Sequence, residues 1–179
     1  MILSETWLQP NILDAEFGLT GSFQLFRCDR NTSIIGRERG GGVMIICNEK
    51  FEILVLCSVS DWYDLLLLKI NLGSKTIIVG CVYVPPQSDL QVYESLCEAI
   101  ELSISVEDTC EIAIYGDFNI PEWLNSNTNL NQKAAKIESF FAFLDMKQVN
   151  TILNKSCRTS YFLILTTFYI RRFLPFIAC

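Results

Sequence analysis

Gly116-Asp117-Phe118-Asn119 closes a short apolar run, Glu111–Tyr115, and is the first place where residue type and spacing suggest chemistry. In an extended chain, residues two apart face the same way, so Asp117 and Asn119 would be presented together. A carboxylate beside a neutral amide suits phosphodiester hydrolysis. The carboxylate can orient or deprotonate a water, or help hold a hard cation through oxygen. The amide can donate to a phosphate without adding negative charge. Glu5, following Met1–Leu3 at another expected strand end, could supply a cation-binding carboxylate, and Tyr83, just before Pro85-Pro86, could set a phenol against a phosphate oxygen. Taken singly these are a turn, a solvated acid and a half-buried strand residue. Their order along the chain makes them a set.

The segments that must position them are short, β-branched and bounded by Asn, Gly, Ser, Asp or Pro, which favours strands over helices: Val43–Cys47, Ile53–Val59, Leu65–Ile70, Thr76–Val84 and Glu111–Tyr115. Residues 71–75 form an expected hairpin connection between two of them. Residues 8–42 are polar and turn-rich, ending in Gly40-Gly41-Gly42. Ser88 with Gln91 offers a capping box for a helix whose apolar face is Tyr93, Leu96, Cys97, Ile100 and Ile104; Ala134, Ile137, Phe141 and Leu144 mark a second. Strands with intervening helices put the chain in the α/β or α+β class. Its 179 residues suit one domain.

Composition narrows the chemistry further. There is no histidine in the sequence, which excludes from these residues a Ser-His-Asp triad, a Cys-His dyad and any imidazole acid or base. The eight cysteines lie mostly in apolar runs and never as Cys-x-x-Cys, a pattern of buried thiols more than of disulfides or zinc. All 20 acidic residues and 9 of the 14 basic ones fall within residues 1–145, a net charge of -11, while 5 bases and no acid follow, a net of +5. The acidic body argues against strong binding to nucleic acid through a general positive field. Arg27, Arg30, Arg37 and Arg39 cluster in one polar stretch, which reads either as a solvated loop or as a phosphate-contacting one.

The N-terminus has no basic, apolar leader, and the apolar run 161–170 is shorter than the ~20 residues a bilayer crossing takes. The expectation is an intracellular protein, nuclear or cytoplasmic, not secreted and without a membrane partner. From about Ser156 the turn punctuation stops and the composition becomes aromatic and basic. Two readings stand: a final strand with a frayed end, or sequence foreign to the original domain, from a shifted frame or aberrant joining.

Ser4-Glu5-Thr6-Trp7-Leu8, Phe26-Arg27-Cys28-Asp29-Arg30, Gly40-Gly41-Gly42-Val43, Cys81-Val82-Tyr83-Val84-Pro85-Pro86 and Tyr115-Gly116-Asp117-Phe118-Asn119-Ile120-Pro121 occur in this order. As an ordered set they resemble the endonuclease/exonuclease/phosphatase superfamily, and more narrowly the apurinic-like endonuclease domain of non-LTR retrotransposons, carried ahead of a reverse transcriptase. The resemblance spans about residues 2–153, leaving 154–179 as a divergent tail. It implies two β-sheets packed face to face with helices outside, and a hydrolase that nicks DNA with Mg or Mn and no small-molecule cofactor. On matching positions it implies Glu5 as metal ligand, Asp117 as the group that orients or activates water, Asn119 on the scissile phosphate and Tyr83 against its developing charge. The family's Asn-bearing first strand should precede Glu5 and is absent. Its closing Ser-Asp-His is absent too, since no Asp or His follows Asp145.

The sequence therefore reads as a fragment of a retrotransposon-type metal-dependent DNA endonuclease, incomplete at both ends and inactive or severely impaired. Two other classes stay open. One is an active phosphodiesterase or phosphatase in which Glu38, Asp61 or Glu122 replaces missing ligands. The other is a non-enzymatic nucleic-acid-binding or interaction module.

Overall fold

The computed structural model describes residues 1–19, 21–33, 40–104, 110–120, 132–148 and 167–171; for residue 148 and residues 167–171 it describes the backbone alone. Among these residues nine strands and two α-helices follow in the order β1 (Ile2–Ser4), β2 (Phe23–Cys28), β3 (Val43–Asn48), β4 (Glu52–Ser60), β5 (Asp64–Asn71), β6 (Thr76–Tyr83), α1 (Leu90–Ser103), β7 (Glu111–Asp117), α2 (Gln132–Phe143), β8 (Lys147–Gln148) and β9 (Thr167–Arg171), with a short 3-10 turn at Asp14–Phe17. They form a three-stranded sheet, β1-β3-β2, and a six-stranded sheet, β4-β5-β6-β7-β9-β8.

The larger sheet has apolar cover on both faces, and that explains its sequence. Leu65 to Leu68 run without alternation because each is at most 1% exposed and neither face of β5 meets water. The pleat sends Leu65 and Leu67, with Ile78, Val82, Ile112 and Ile114, against α1 and α2. It sends Leu66, Leu68 and Ile70, with Val79, Cys81 and Tyr83, against Cys28, Val43 and Ile45 of the smaller sheet. Each such side chain contributes roughly 1.5–3 kcal/mol by leaving water. The result is the expected sandwich of two sheets flanked by helices.

All pairings in the larger sheet are antiparallel except β6 with β7, which run parallel. Parallel neighbours need a crossover, and α1 provides it. The helix starts from Asp89, whose side chain accepts from the Val92 N–H at 3.2 Å. The expected Ser88 cap is displaced because the Ser88 hydroxyl donates back to the Pro85 carbonyl at 2.8 Å. Val92, Tyr93, Leu96, Cys97 and Ile100 form the buried face. In α2 the buried face is Ala134, Ile137, Phe140 and Phe141.

Strand β2 lies where a polar connection was expected. Its six residues pair with β3, from Phe23 opposite Asn48 to Cys28 opposite Val43. Strand β9 lies within the tail and pairs antiparallel with β7 on one side and β8 on the other. Among the described residues, no helix is long and apolar enough to cross a membrane. Cys28, Cys47, Cys57, Cys81, Cys97 and Cys110 are free thiols. Burial pushes Cys28 up to about 11 and Cys81 and Cys97 up to about 12, so these are packing residues and not nucleophiles.

Candidate active site

Because β6 and β7 run parallel, their C-terminal ends meet at one edge of the sheet. Tyr83 and Asp117 are register partners there, and Tyr83 is also the partner of Asp64 at the start of β5. Asp64, Tyr83 and Asp117 thus make one row across three strands. Their positions along the pleat put all three on the face toward the smaller sheet. The close approach of β6 and β7 requires glycine at 116, where a Cβ would fall 2.1 Å from the Val82 carbonyl oxygen.

Asn119 continues from Asp117 with φ of 49°, a left-handed conformation that Asn tolerates better than most residues. This turn folds Asn119 back on the acid. Its backbone N–H donates to Asp117 Oδ1 at 3.0 Å and its Nδ2 donates to Asp117 Oδ2 at 3.2 Å. The same Nδ2 donates to the Val84 carbonyl at 2.8 Å, and Tyr93 donates to the Phe118 carbonyl at 2.7 Å from α1. Asp117 is half-buried, and its carboxyl is pushed up to about 6 by desolvation, with the negative charge of Glu5 adding to the rise and the hydrogen bonds from Asn119 opposing it.

Glu5 comes from the opposite sheet, directly after β1. Glu5 and Trp7 both take positive φ, 56° and 57°, uncommon for such residues. The loop is held by Thr6 N–H to Gly42 O at 3.1 Å and Trp7 N–H to Gly41 O at 2.9 Å. Strain of this kind, about 1–3 kcal/mol per residue, concentrates at functional sites. Glu5 is exposed and Tyr83 is 3% exposed; the Tyr83 hydroxyl donates to Glu5 Oε1 at 3.0 Å. Burial first, and then the Glu5 charge, raise the Tyr83 phenol well above its ordinary range, so it is a donor and not a phenolate.

Glu5, Tyr83, Asp117 and Asn119 are therefore gathered at one end of the sandwich. Of the arginine cluster, the two described members, Arg27 and Arg30, are each held in ion pairs. Arg27 forms ion pairs with Asp14 and Asp29, each at 3.1 Å, and donates to the Ile12 carbonyl. Arg30 is 5% exposed and paired with Asp64 at 2.8 Å. Arg37 and Arg39 lie outside the described residues, as do Glu38 and Glu122. Asp61 sits in the turn between β4 and β5, its N–H donating to the Tyr63 carbonyl at 3.0 Å.

Sequence reasoning missed Asp64. This carboxylate is 0% exposed, accepts from Arg30, from the Gly42 N–H at 2.9 Å and from the Ser60 hydroxyl at 2.7 Å, and stands beside Tyr83 in the same row. Its only signal in the chain was an acid at the start of an otherwise apolar strand.

A hard divalent cation prefers oxygen ligands and, in the case of Mg, often uses one or two carboxylates while water and phosphate fill the rest. Glu5 and Asp117 suit that in kind. In number they supply little more, for the described residues contain no group of three or more His, Cys, Asp or Glu that could hold a metal ion.

No protein-family model matches the chain, and no curated protein matches its sequence. Solved structures do match its fold. The endonuclease domain of TRAS1, a telomere-specific non-LTR retrotransposon, superposes with a TM-score of 0.59 at 12% identity, over 82% of this chain and 64% of that domain. The human Nocturnin catalytic domain gives 0.59 at 8% identity, over 94% of this chain and 67% of that one. TDP2 of D. rerio, complexed with a single-strand DNA product, gives 0.51 at 13% identity, over 95% of this chain and 69% of that one. This chain thus spans about two thirds of the length of each. With the paired sheets and the β6-α1-β7 crossover, these likenesses show that the chain shares the fold of these three proteins, a two-sheet sandwich flanked by helices.

Proposed function

We propose that the chain carries the phosphodiesterase site of a retrotransposon-type DNA endonuclease, and that these 179 residues by themselves cut DNA very slowly or not at all. The observation that supports the site is the convergence of Glu5, Tyr83, Asp117 and Asn119 from two sheets onto one end of the sandwich. Two fold relatives support this: one is the endonuclease domain of a telomere-specific non-LTR retrotransposon, and the other, TDP2, is complexed with a single-strand DNA product.

In this reading Glu5 would hold Mg or Mn, which would offset phosphate charge and act as a Lewis acid. Asp117, ionised above about pH 6, accepts a proton from the attacking water. Asn119 keeps both Asp117 oxygens oriented, and an arriving phosphate oxygen would compete for the longer of its two Nδ2 bonds. The Tyr83 hydroxyl, which cannot readily ionise here, donates to Glu5 or to a phosphate oxygen.

The impairment follows from composition. A chain with no histidine has no imidazole acid or base, a contribution worth ~10²–10⁴-fold. An acidic body whose Arg27 and Arg30 are already paired also offers little positive field to draw in DNA.

Supercoiled-plasmid nicking with Mg²⁺ tests both parts, comparing the chain with Asp117→Ala and Glu5→Gln. The expected outcome is little or no nicking, with any residue of it lost in both variants. Robust nicking abolished by Asp117→Ala would overturn the impairment. Nicking unchanged in both variants would overturn the site.

A further inference from the structure

Arg30 and Asp64 are the buried charged residues among those described, at 5% and 0% exposure. Burying two charges is costly, and an apolar pair of similar volume often serves stability as well. Their position suggests what else they do. Arg30 lies just beyond β2 of the smaller sheet, Asp64 opens β5 of the larger one, and Tyr83 is the register partner of Asp64. One guanidinium nitrogen of Arg30 lies 2.8 Å from Asp64 Oδ2, while Cζ sits over the Tyr83 ring, 5.5 Å from its centroid. Asp64 is itself pinned by the Gly42 N–H and the Ser60 hydroxyl. Gly41 leaves the guanidinium its space, since a Cβ there would meet Arg30 Cζ at 2.7 Å. The Tyr83 hydroxyl, at the far end of that ring, donates to Glu5.

We propose that Arg30, anchored by Asp64, is a positioning residue that holds the Tyr83 phenol against Glu5. The guanidinium lies over the ring of a phenol that reaches out of the core to the exposed acid. This deepens the functional reading above, and only its kinetic consequence rests on that reading. Lysine at 30 keeps a charge for Asp64 but loses the flat surface over the ring, so Arg30→Lys separates positioning from simple charge pairing.

The experiment is a spectroscopic double-mutant cycle on the full chain carrying ¹³C-labelled glutamate, following the Glu5 carboxyl carbon. Tyr83→Phe is introduced into the native background and into Arg30→Lys. Positioning predicts that Tyr83→Phe moves the Glu5 signal in the native background and less than about a third as far in Arg30→Lys. Equal displacement in both backgrounds overturns the proposal, as does no displacement in the native one. Should Arg30→Lys fail to fold, Ser60→Ala replaces it: this frees one Asp64 oxygen, keeps both charges, and must also shrink the displacement. If the chain nicks DNA, Arg30→Lys lowers kcat about 10-fold with KM unchanged. A native chain that shows the coupling while its nicking is unchanged in Asp117→Ala and Glu5→Gln refutes the functional reading and leaves the positioning intact.

Discussion

Asp64 and Asp117 occupy the same row of the same sheet, one on each side of Tyr83, and the protein treats them in opposite ways. Asp64 is buried completely and compensated completely, by a guanidinium, a hydroxyl and a backbone N–H. Among the described residues Asp117 accepts from Asn119, faces the negative Glu5, and has its carboxyl raised to about 6. The first carboxylate serves as a fixture joining the sheets. The second is only half-buried and, among the described residues, has no cation paired with it, a condition under which an acid's proton affinity shifts toward the range useful for chemistry. A perturbed carboxyl is thus more informative here than a deeply buried one.

Removing the fixture should have the largest effect. Asp64→Ala leaves Arg30 buried without its partner and should destabilise the chain by about 3–5 kcal/mol, read as a shift of the urea unfolding midpoint. A loss under about 1 kcal/mol would erase the contrast. Gly41→Ala attacks the same region through space and backbone: its Cβ would lie 2.6 Å from Asp64 Oδ2 at a φ of +82°. About 2–4 kcal/mol is expected by the same measurement.

The other end of the row should respond with the opposite sign. Asp117 binds its proton more tightly in the fold, at about 6, than its ordinary 3.8. Its ionisation therefore weakens the fold progressively as pH rises from about 4 to about 6, and no further above that. Asp117→Asn removes this penalty, and should gain about 1–2 kcal/mol at pH 7.5 with no gain at pH 4, while abolishing any nicking. A gain independent of pH would show that the Asp117 charge is not its source. The smallest effect belongs to an ion pair outside the row. Lys75 and Glu111 meet at 2.7 Å but are 52% and 40% exposed, and Lys75→Ala should cost less than about 0.5 kcal/mol, disappearing in high salt.

Local pattern carried much of the architecture. Strands β3 to β7 were legible because their residues are apolar, short-run and bounded by turn formers, and both helices because their apolar positions recur at helical spacing. Strand β2 was not legible. Phe-Gln-Leu-Phe-Arg-Cys sits in a polar stretch, and five of its six residues stay at least partly exposed, so it carries neither a clean alternation nor a continuous apolar run. The start of α1 moved by one residue because Ser88 is satisfied within its own turn. In the site, Asp117 with Asn119 was legible from spacing, and Glu5 and Tyr83 from the order of short motifs. Asp64 was hidden because its partner is 34 residues away, beyond the reach of any periodicity. Arg30 was visible, but as one of four clustered arginines, with nothing local to separate the buried one from the rest.

Before any folding, the sequence determined which chemistries were open: oxygen-based groups, no imidazole, an acidic body, and a carboxylate two residues from an amide. Periodicity and boundaries add where the chain must be extended or helical, since those depend on neighbours within a few residues. Tertiary structure decided which acids meet. Glu5 and Tyr83 are 78 residues apart and share a hydrogen bond because two sheets face each other. Asp117 reaches Tyr83 because β6 and β7 run parallel and end together. The same packing gave Asp64 a cation and, among the described residues, gave Asp117 none, a difference that depends on charge and burial in three dimensions.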